Sequence, residues 1–173
     1  MGVAGSGKTT LAREVSRCIW TVYLDNNHIA DAFFPSTRNG RKYHQLRPGF
    51  YKALYSIAAE NLSIGNSVIL DVPHIKEVQR PEWRSFIQQL AGSNGASLII
   101  LRCLTSAEML RSRLSTRGER RDRWKLKHWR RFLESQPINV PIFLPHLDVN
   151  TEQSLPVNMT AIMRYIRSCT KSD

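Results

Sequence analysis

The chain has 173 residues and a mass of 19.9 kDa, a length that fits one domain and buries roughly 70% of its unfolded surface without a disulfide or structural metal. Apolar residues make up 42% and charged residues 23%, which excludes a disordered chain; no apolar run approaches the ~20 residues of a membrane span and no charged-then-apolar leader opens the chain, so we expect no membrane insertion and no Sec export. The net charge is +11, from 25 Lys+Arg against 14 Asp+Glu, and it is concentrated: ten basic and two acidic residues fall between Arg111 and Arg131. Such a stretch suits a polyanion, either nucleotide phosphates or nucleic acid, or is a solvated basic helix.

A glycine-rich run opens the chain at residues 2–9. Leu11, Val15, Cys18 and Ile19 then recur at helical spacing and predict a helix from about Lys8. Residues 21–24 are β-rich and end at Asp25. Ile29, Ala32 and Phe33 predict a short helix. Residues 35–49 carry Pro35, Gly40, Pro48 and Gly49 and read as a loop. Phe50, Leu54, Ile57, Ala58 and Leu62 predict a second amphipathic helix, stopped by Gly65.

Residues 67–70 form an apolar strand ending at Asp71, and Pro81 opens a helix closed by Gly92. Residues 98–101 are a further apolar strand. Thr105 with Glu108 reads as a capping box for the next helix. Pro137, Pro141 and Pro145 break the chain, residues 147–149 form a last strand, and Asn158 caps a final helix. Apolar strands alternating with helices predict an α/β fold, a three-layer, doubly wound parallel sheet covered on both faces. Cys18, Cys103 and Cys169 are odd in number and lack metal-site spacing. We read all three as reduced core residues, which implies a cytoplasmic chain.

Residues 2–9, GVAGSGKT, match G-x-x-x-x-G-K-[ST] in full. Gly2, Gly5 and Gly7 let the backbone curl so that amides point at phosphate oxygens. Ser6 and Thr10 complete the cradle, Lys8 reaches the β- and γ-phosphates, and the Thr9 hydroxyl binds Mg²⁺. The following helix adds its positive end. This pattern predicts binding of nucleotide phosphates with Mg²⁺; ATP is the nucleotide we expect, and the motif does not separate it from GTP. A strand ordinarily precedes such a loop, and here only Met1 does, so the first strand is expected to be largely absent from this chain, through a late start or as a fragment.

Ligands of open parallel sheets bind beyond the carboxyl ends of the strands, and Asp25 and Asp71 both end predicted strands. Asp71 is expected to hold the Mg²⁺ shell with Thr9. Asp25 is expected to orient or deprotonate an acceptor hydroxyl. The alternative for each is an aspartate that only caps a helix or turn.

In order, GVAGSGKTTLA, YLDNNHI, ENLSIGNSVILD, LRCLTSAEMLRSRLSTR and RRDRWKL resemble the adenylate-kinase-like group of small P-loop kinases. That group takes in gluconate and shikimate kinases, chloramphenicol phosphotransferases, zeta toxins and AAA-domain ATP-binding proteins. The resemblance covers nearly the whole chain and implies a single kinase-like domain over 1–173 with a small basic lid at about 113–130. It implies that Asp25 is the strand-end acid facing the substrate, and that Asn27 stands where many relatives carry a second Asp. Arg117 and Arg121 are implied as catalytic phosphate contacts, with Arg113 and Arg120 as further candidates. Their planar forks suit phosphate oxygens. Gly118 offers a hinge or cap, and Asp122 with Lys125 an i, i+3 brace.

Trp124 and Trp129 read as core anchors rather than base-stacking platforms. His74 reads as a loop histidine facing solvent, with the substrate as its alternative. Tyr43, His44 and Arg47 lie where relatives build substrate pockets, and Asn150 and Thr151 where they flank adenine. Lys8, Asp25, Arg117 and Arg121 together imply transfer of the γ-phosphate of ATP to a hydroxyl of a small molecule. The alternatives are a polynucleotide 5′-hydroxyl kinase, for which nucleic acid would be the partner, and a non-catalytic nucleotide-binding chain.

Overall fold

The computed structural model describes residues 1–35, 38 and 40–170. Four parallel strands carry the architecture: β1 (Val22–Asp25), β2 (Val68–Asp71), β3 (Leu101–Leu104) and β4 (Leu147–Asn150). β1 pairs with β2 and β3 with β4. The register sets Asp25 beside Asp71 and Leu104 beside Asn150. Among the described residues eight α-helices accompany them: α1 (Lys8–Cys18), α2 (Asn26–Phe33), α3 (Arg41–Ser63), α4 (Pro81–Gly92), α5 (Ala107–Arg117), α6 (Arg123–Lys127), α7 (Trp129–Ser135) and α8 (Leu155–Thr170).

The two strand pairs are joined by the start of the chain. The Met1 amino group donates to the Leu101 carbonyl at 2.6 Å, and the Met1 carbonyl accepts from the Cys103 amide at 2.8 Å. On the other side the Gly2 amide donates to the Pro73 carbonyl, just past β2, at 3.1 Å. Met1 and Gly2 therefore stand between β2 and β3.

Consecutive strand residues face opposite layers. Ile69, Leu101 and Cys103 pack with Leu11 and Val15 of α1 and Ile162 of α8. Leu24 and Leu70 pack with Tyr51 and Leu54 of α3, and Ile100 packs with Ile87 of α4. The result is the expected three-layer, doubly wound parallel α/β arrangement. Among the described residues no helix is long and apolar enough to cross a membrane.

Several local expectations are corrected. Residues 41–49 are not loop: α3 starts at Arg41 and runs 23 residues with Pro48 inside. Its buried residues Tyr43, Phe50, Tyr51, Leu54 and Ala58 fall on one face, and that packing outweighs the hydrogen bond Pro48 removes. The loop reading of residues 36, 37 and 39 lies outside the described residues.

β3 starts at Leu101, three residues into the apolar run, where β4 begins opposite it and Met1 lies alongside. Ser106 caps α5, accepting from the Met109 amide at 3.2 Å, while Thr105 donates to Glu152 instead. α8 begins at Leu155, ahead of Asn158, whose amide group donates to the carbonyls of Asn150 and Gln153. Of the cysteines only Cys103 is buried; Cys18 is exposed and Cys169 half-buried, since their helix positions fall off the apolar faces.

Beyond Met1, the edges of β2 and β3 that face each other lack a neighbour among the described residues. An engineered chain with about five to eight β-rich residues ahead of Met1 has the length to fill that slot. It is expected to melt at higher temperature and to aggregate less. Calorimetry and light scattering on both chains provide the check, and equal behaviour would mean the slot does not accept a strand.

Candidate active site

The phosphate loop turns where the sequence has glycine. Gly7 takes the left-handed region at φ 83° and precedes α1, whose first turn has no side-chain cap. Its amides are therefore left pointing outward, at the positive end of an 11-residue helix. Gly2 sits at φ 145°, and a Cβ there would lie 2.6 Å from Ser6 Oγ and 2.7 Å from the Cys103 carbonyl. Ser6 Oγ is buried without a partner among the described residues.

Lys8 folds back over the loop and donates to the Val3 carbonyl at 2.8 Å. Burial pushes its ammonium below the ordinary lysine value, and Asp71 works against that shift. The Thr9 hydroxyl donates to Asp71 Oδ2 at 2.5 Å. Thr9 opens α1 and Asp71 ends β2, so the packing of helix on strand puts the two oxygen groups together. Hard oxygen donors of this kind suit Mg²⁺.

Tyr23 was not anticipated from the sequence. Its hydroxyl donates to Asp71 Oδ2 at 2.9 Å and lies 3.4 Å from Asp25 Oδ2. Burial, then the two carboxylates, pushes its phenol up. The signal was available: Tyr23 is two residues before Asp25 and so shares its face of β1. Asp25 itself is buried. Its Oδ1 accepts from the Asn27 amide at 2.7 Å and so caps α2.

Lys8, Thr9 and Asp71 floor a cleft of about 1000 Å³. Gly5, Gly7, Lys8, Thr9, Thr10 and Asp71 line it, and Gly2, Ser6 and Asp25 do not. At one end Arg113 donates to Thr151 Oγ1 at 2.9 Å and to the Thr151 carbonyl at 2.7 Å, tying α5 to the segment after β4. Thr151 faces the cleft and Asn150 does not. Asn26, Asn27, Arg38, Tyr43, His44, Arg47 and Tyr51, from α2, α3 and the segment between them, add a polar, aromatic wall.

Arg117, Arg121, Trp124 and Lys125 roof the cleft, whereas Arg120 is exposed outside it. Gly118 ends α5 in the left-handed region at φ 66°, as a cap. Asp122 is fully buried and accepts from Lys125 Nζ at 2.5 Å and from Arg117 Nε at 2.9 Å. Burial works against its carboxylate, but Lys125 and Arg117 outweigh burial and hold it below the ordinary range. The expected Asp122–Lys125 brace is therefore present. Trp129 packs against the core around Val3 and Leu110. Trp124 does not: it is 39% exposed and faces the cleft, because the five-residue α6 ends at His128 before the apolar spacing continues.

His74 is neither solvent-facing nor on the cleft wall. It is buried at φ 48° among Tyr51, Tyr55 and Trp83. Its Nε2 hydrogen-bonds Tyr55 at 2.8 Å, and Glu77 lies 3.9 Å from Nδ1. Burial pushes the imidazole below its ordinary value. Glu77, which lines the cleft, is held down to about 2, chiefly by His74 with help from Arg47. The pattern of residues 71–80 gave no hint that the chain turns inward at His74.

A family model described as an AAA domain matches residues 1–137. The chain belongs to that AAA domain family. No curated protein matches it in sequence. Among solved structures, it is similar to a candidate kinase from Chloroflexus aurantiacus J-10-fl, with 21% identity over 99% of this chain and 96% of that one, and a TM-score of 0.72. It is also similar to a gluconokinase from Sinorhizobium meliloti 1021, with 16% identity over 98% and 90% of the chains and a TM-score of 0.61. The APS kinase of Mycobacterium tuberculosis, solved with AMPPNP and APS, gives 17% identity over 96% and 94% and a TM-score of 0.60. This AAA domain thus has the fold of the small P-loop kinases.

Two outcomes follow from the loop and from His74. Gly2→Ala is expected to destabilise the chain by about 1–3 kcal/mol, through backbone strain and the two close contacts, and to weaken AMPPNP binding. Denaturant melts and calorimetric titration read the two effects. Because the folded His74 value is depressed, the unfolded chain binds the extra proton below the ordinary histidine pKa. The contribution is complete above about pH 6.5 and is lost as pH falls below it, by at most about 1.4 kcal/mol per pH unit. His74→Asn keeps a residue tolerant of positive φ and is expected to flatten the stability profile between pH 7 and 5 relative to the parent chain.

Proposed function

We propose that the chain is an ATP- and Mg²⁺-dependent phosphotransferase acting on a hydroxyl of a small molecule, as one cytoplasmic domain over 1–173 with its lid at about 113–130. The observation that carries this reading is the 2.5 Å hydrogen bond from Thr9 to Asp71 beside Lys8 and the glycine loop. It joins the two oxygen ligands a nucleotide-bound Mg²⁺ needs, at the floor of a cleft with a separate polar wall.

In this reading the amides of the loop and Lys8 hold the β- and γ-phosphates. Mg²⁺, when bound by Thr9 and Asp71, neutralises charge on those phosphates. Asp25 is buried just behind the cleft lining, with Oδ1 committed to the α2 cap, so Oδ2, beside the Tyr23 hydroxyl, is the oxygen left to take or orient the acceptor proton. Asn26 and Asn27 face the cleft and hydrogen-bond acceptor hydroxyls. Arg117 and Arg121 offset charge on the moving phosphoryl group. Trp124 and the roof exclude water.

A polynucleotide acceptor fits less well. Arg117, Arg121 and Lys125 turn inward and are each paired with an aspartate, which removes three of the ten cations from any external track. The acceptor is read by ATP consumption over a panel of hydroxylated metabolites and a 5′-hydroxyl oligonucleotide.

Lys8→Ala is expected to abolish ATP turnover with little change in melting temperature; near-normal turnover would remove the kinase reading. Asp25→Asn keeps an equally good helix cap. It is expected to lower turnover about 10²–10⁴-fold, the range of general-base assistance, with AMPPNP affinity nearly unchanged. Loss of affinity with an unchanged rate per bound complex would instead make Asp25 a support of the Asp71 site.

A further inference from the structure

Asp31 lies on α2, and the sequence gives it no role. Its carboxylate accepts from two arginines that are far apart in the chain. Arg121, from the roof, donates to Oδ2 at 3.0 Å and approaches Oδ1 at 3.4 Å. Arg38 also donates to Oδ1, and to Asn27 Oδ1 at 2.7 Å. Arg38 and Arg121 line the cleft, and Asp31 does not. The acid therefore stands behind the wall with both cations in front of it.

The same pattern occurs at Asp122, where one carboxylate behind the wall holds Arg117 and Lys125 in front. In each trio two cations share one anion, so one positive charge stays uncompensated and faces the cleft. A carboxylate that fixes the guanidinium plane from behind preorganises its free donors for phosphate oxygens.

We propose that Asp31 is a positioning residue: it sets Arg121 against the terminal phosphate of the bound nucleotide. The neighbours of each group give the direction. Arg113 and Thr151 meet the phosphate loop at Gly5 and Gly7, whereas α2 leaves from Asp25 at the end of β1. An arginine tied to α2 sits at the acceptor end, where the γ-phosphate must lie for transfer. ADP, which lacks that phosphate, does not reach Arg121. The inference rests on the kinase reading above.

The test is calorimetric titration of Mg–AMPPNP and of Mg–ADP into the parent chain, Asp31→Asn, Asp31→Glu, Arg121→Gln and the Asp31→Asn/Arg121→Gln double variant. Asp31 is 44% exposed, so Asp31→Asn is expected to fold, and a thermal melt verifies it. AMPPNP affinity is expected to fall about tenfold in Asp31→Asn, with ADP affinity within about twofold of the parent. Asp31→Glu restores part of the loss, and the double variant binds AMPPNP no worse than Arg121→Gln alone. Equal weakening of AMPPNP and ADP would show a merely structural role and overturn the assignment. So would unchanged AMPPNP affinity, or losses that multiply in the double variant. Failure of the kinase reading looks different: the parent chain would bind AMPPNP no better than Lys8→Ala.

Discussion

The backbone hydrogen bonds of Met1 and Gly2 fix the phosphate loop against both halves of the sheet. Met1 is held by Leu101 and Cys103 of β3, and Gly2 by Pro73 beyond β2. The loop that follows must therefore rise at the carboxyl ends of the strands, where β2 delivers Asp71. α1 then packs on Ile69 and Cys103 through Leu11 and Val15. Its first turn is brought over β2, so Thr9 meets Asp71. A side chain on Gly2 would crowd Ser6 Oγ and the Cys103 carbonyl, which is why glycine suits this junction. The contact of Thr9 with Asp71 inherits its position from this seam.

Charge is arranged around the cleft by the same logic of placement. The chain carries a net +11, and its densest basic stretch folds over the site as a roof. Inward-turned cations would repel one another and drift without anchors. Asp31 and Asp122 supply the anchors, each from outside the cleft wall, and leave a surplus of positive charge facing inward. Asp71 stands alone among lining carboxylates at the phosphate end, where a divalent cation would need it. Glu77 is the acid of the opposite wall, kept ionised beside His74 and Arg47. This arrangement supports the proposed reading, in which the cleft takes nucleotide phosphates beside Asp71 and a polar acceptor beside α2.

The sequence by itself determined the elements whose physics is local. The glycine spacing of residues 2–9 specifies a phosphate cradle because a positive φ and a close backbone approach leave little else. Residues 22–25 and 68–71 are apolar runs ended by aspartate, and both became adjacent strands with those aspartates in register. Pro81 and Gly92 bounded α4 as proline and glycine do. Asp122 and Lys125, three residues apart, could be paired from helical geometry alone.

Tertiary structure decided whatever depends on partners distant in the chain. Pro48 and Gly49 signal a break, yet α3 runs through them because Tyr43, Phe50, Tyr51 and Leu54 bury on one face. Ser106 rather than Thr105 caps α5, since Glu152 takes the Thr105 hydroxyl. His74 turned into an aromatic core that residues 71–80 do not foretell. Trp124 and Trp129 look alike in sequence, but a helix end between them sends one to the cleft and one to the core. Asp31 acquired its two arginines from positions seven and ninety residues away. Such pairings depend on how layers stack, and the energy that selects them comes from contacts no local pattern contains.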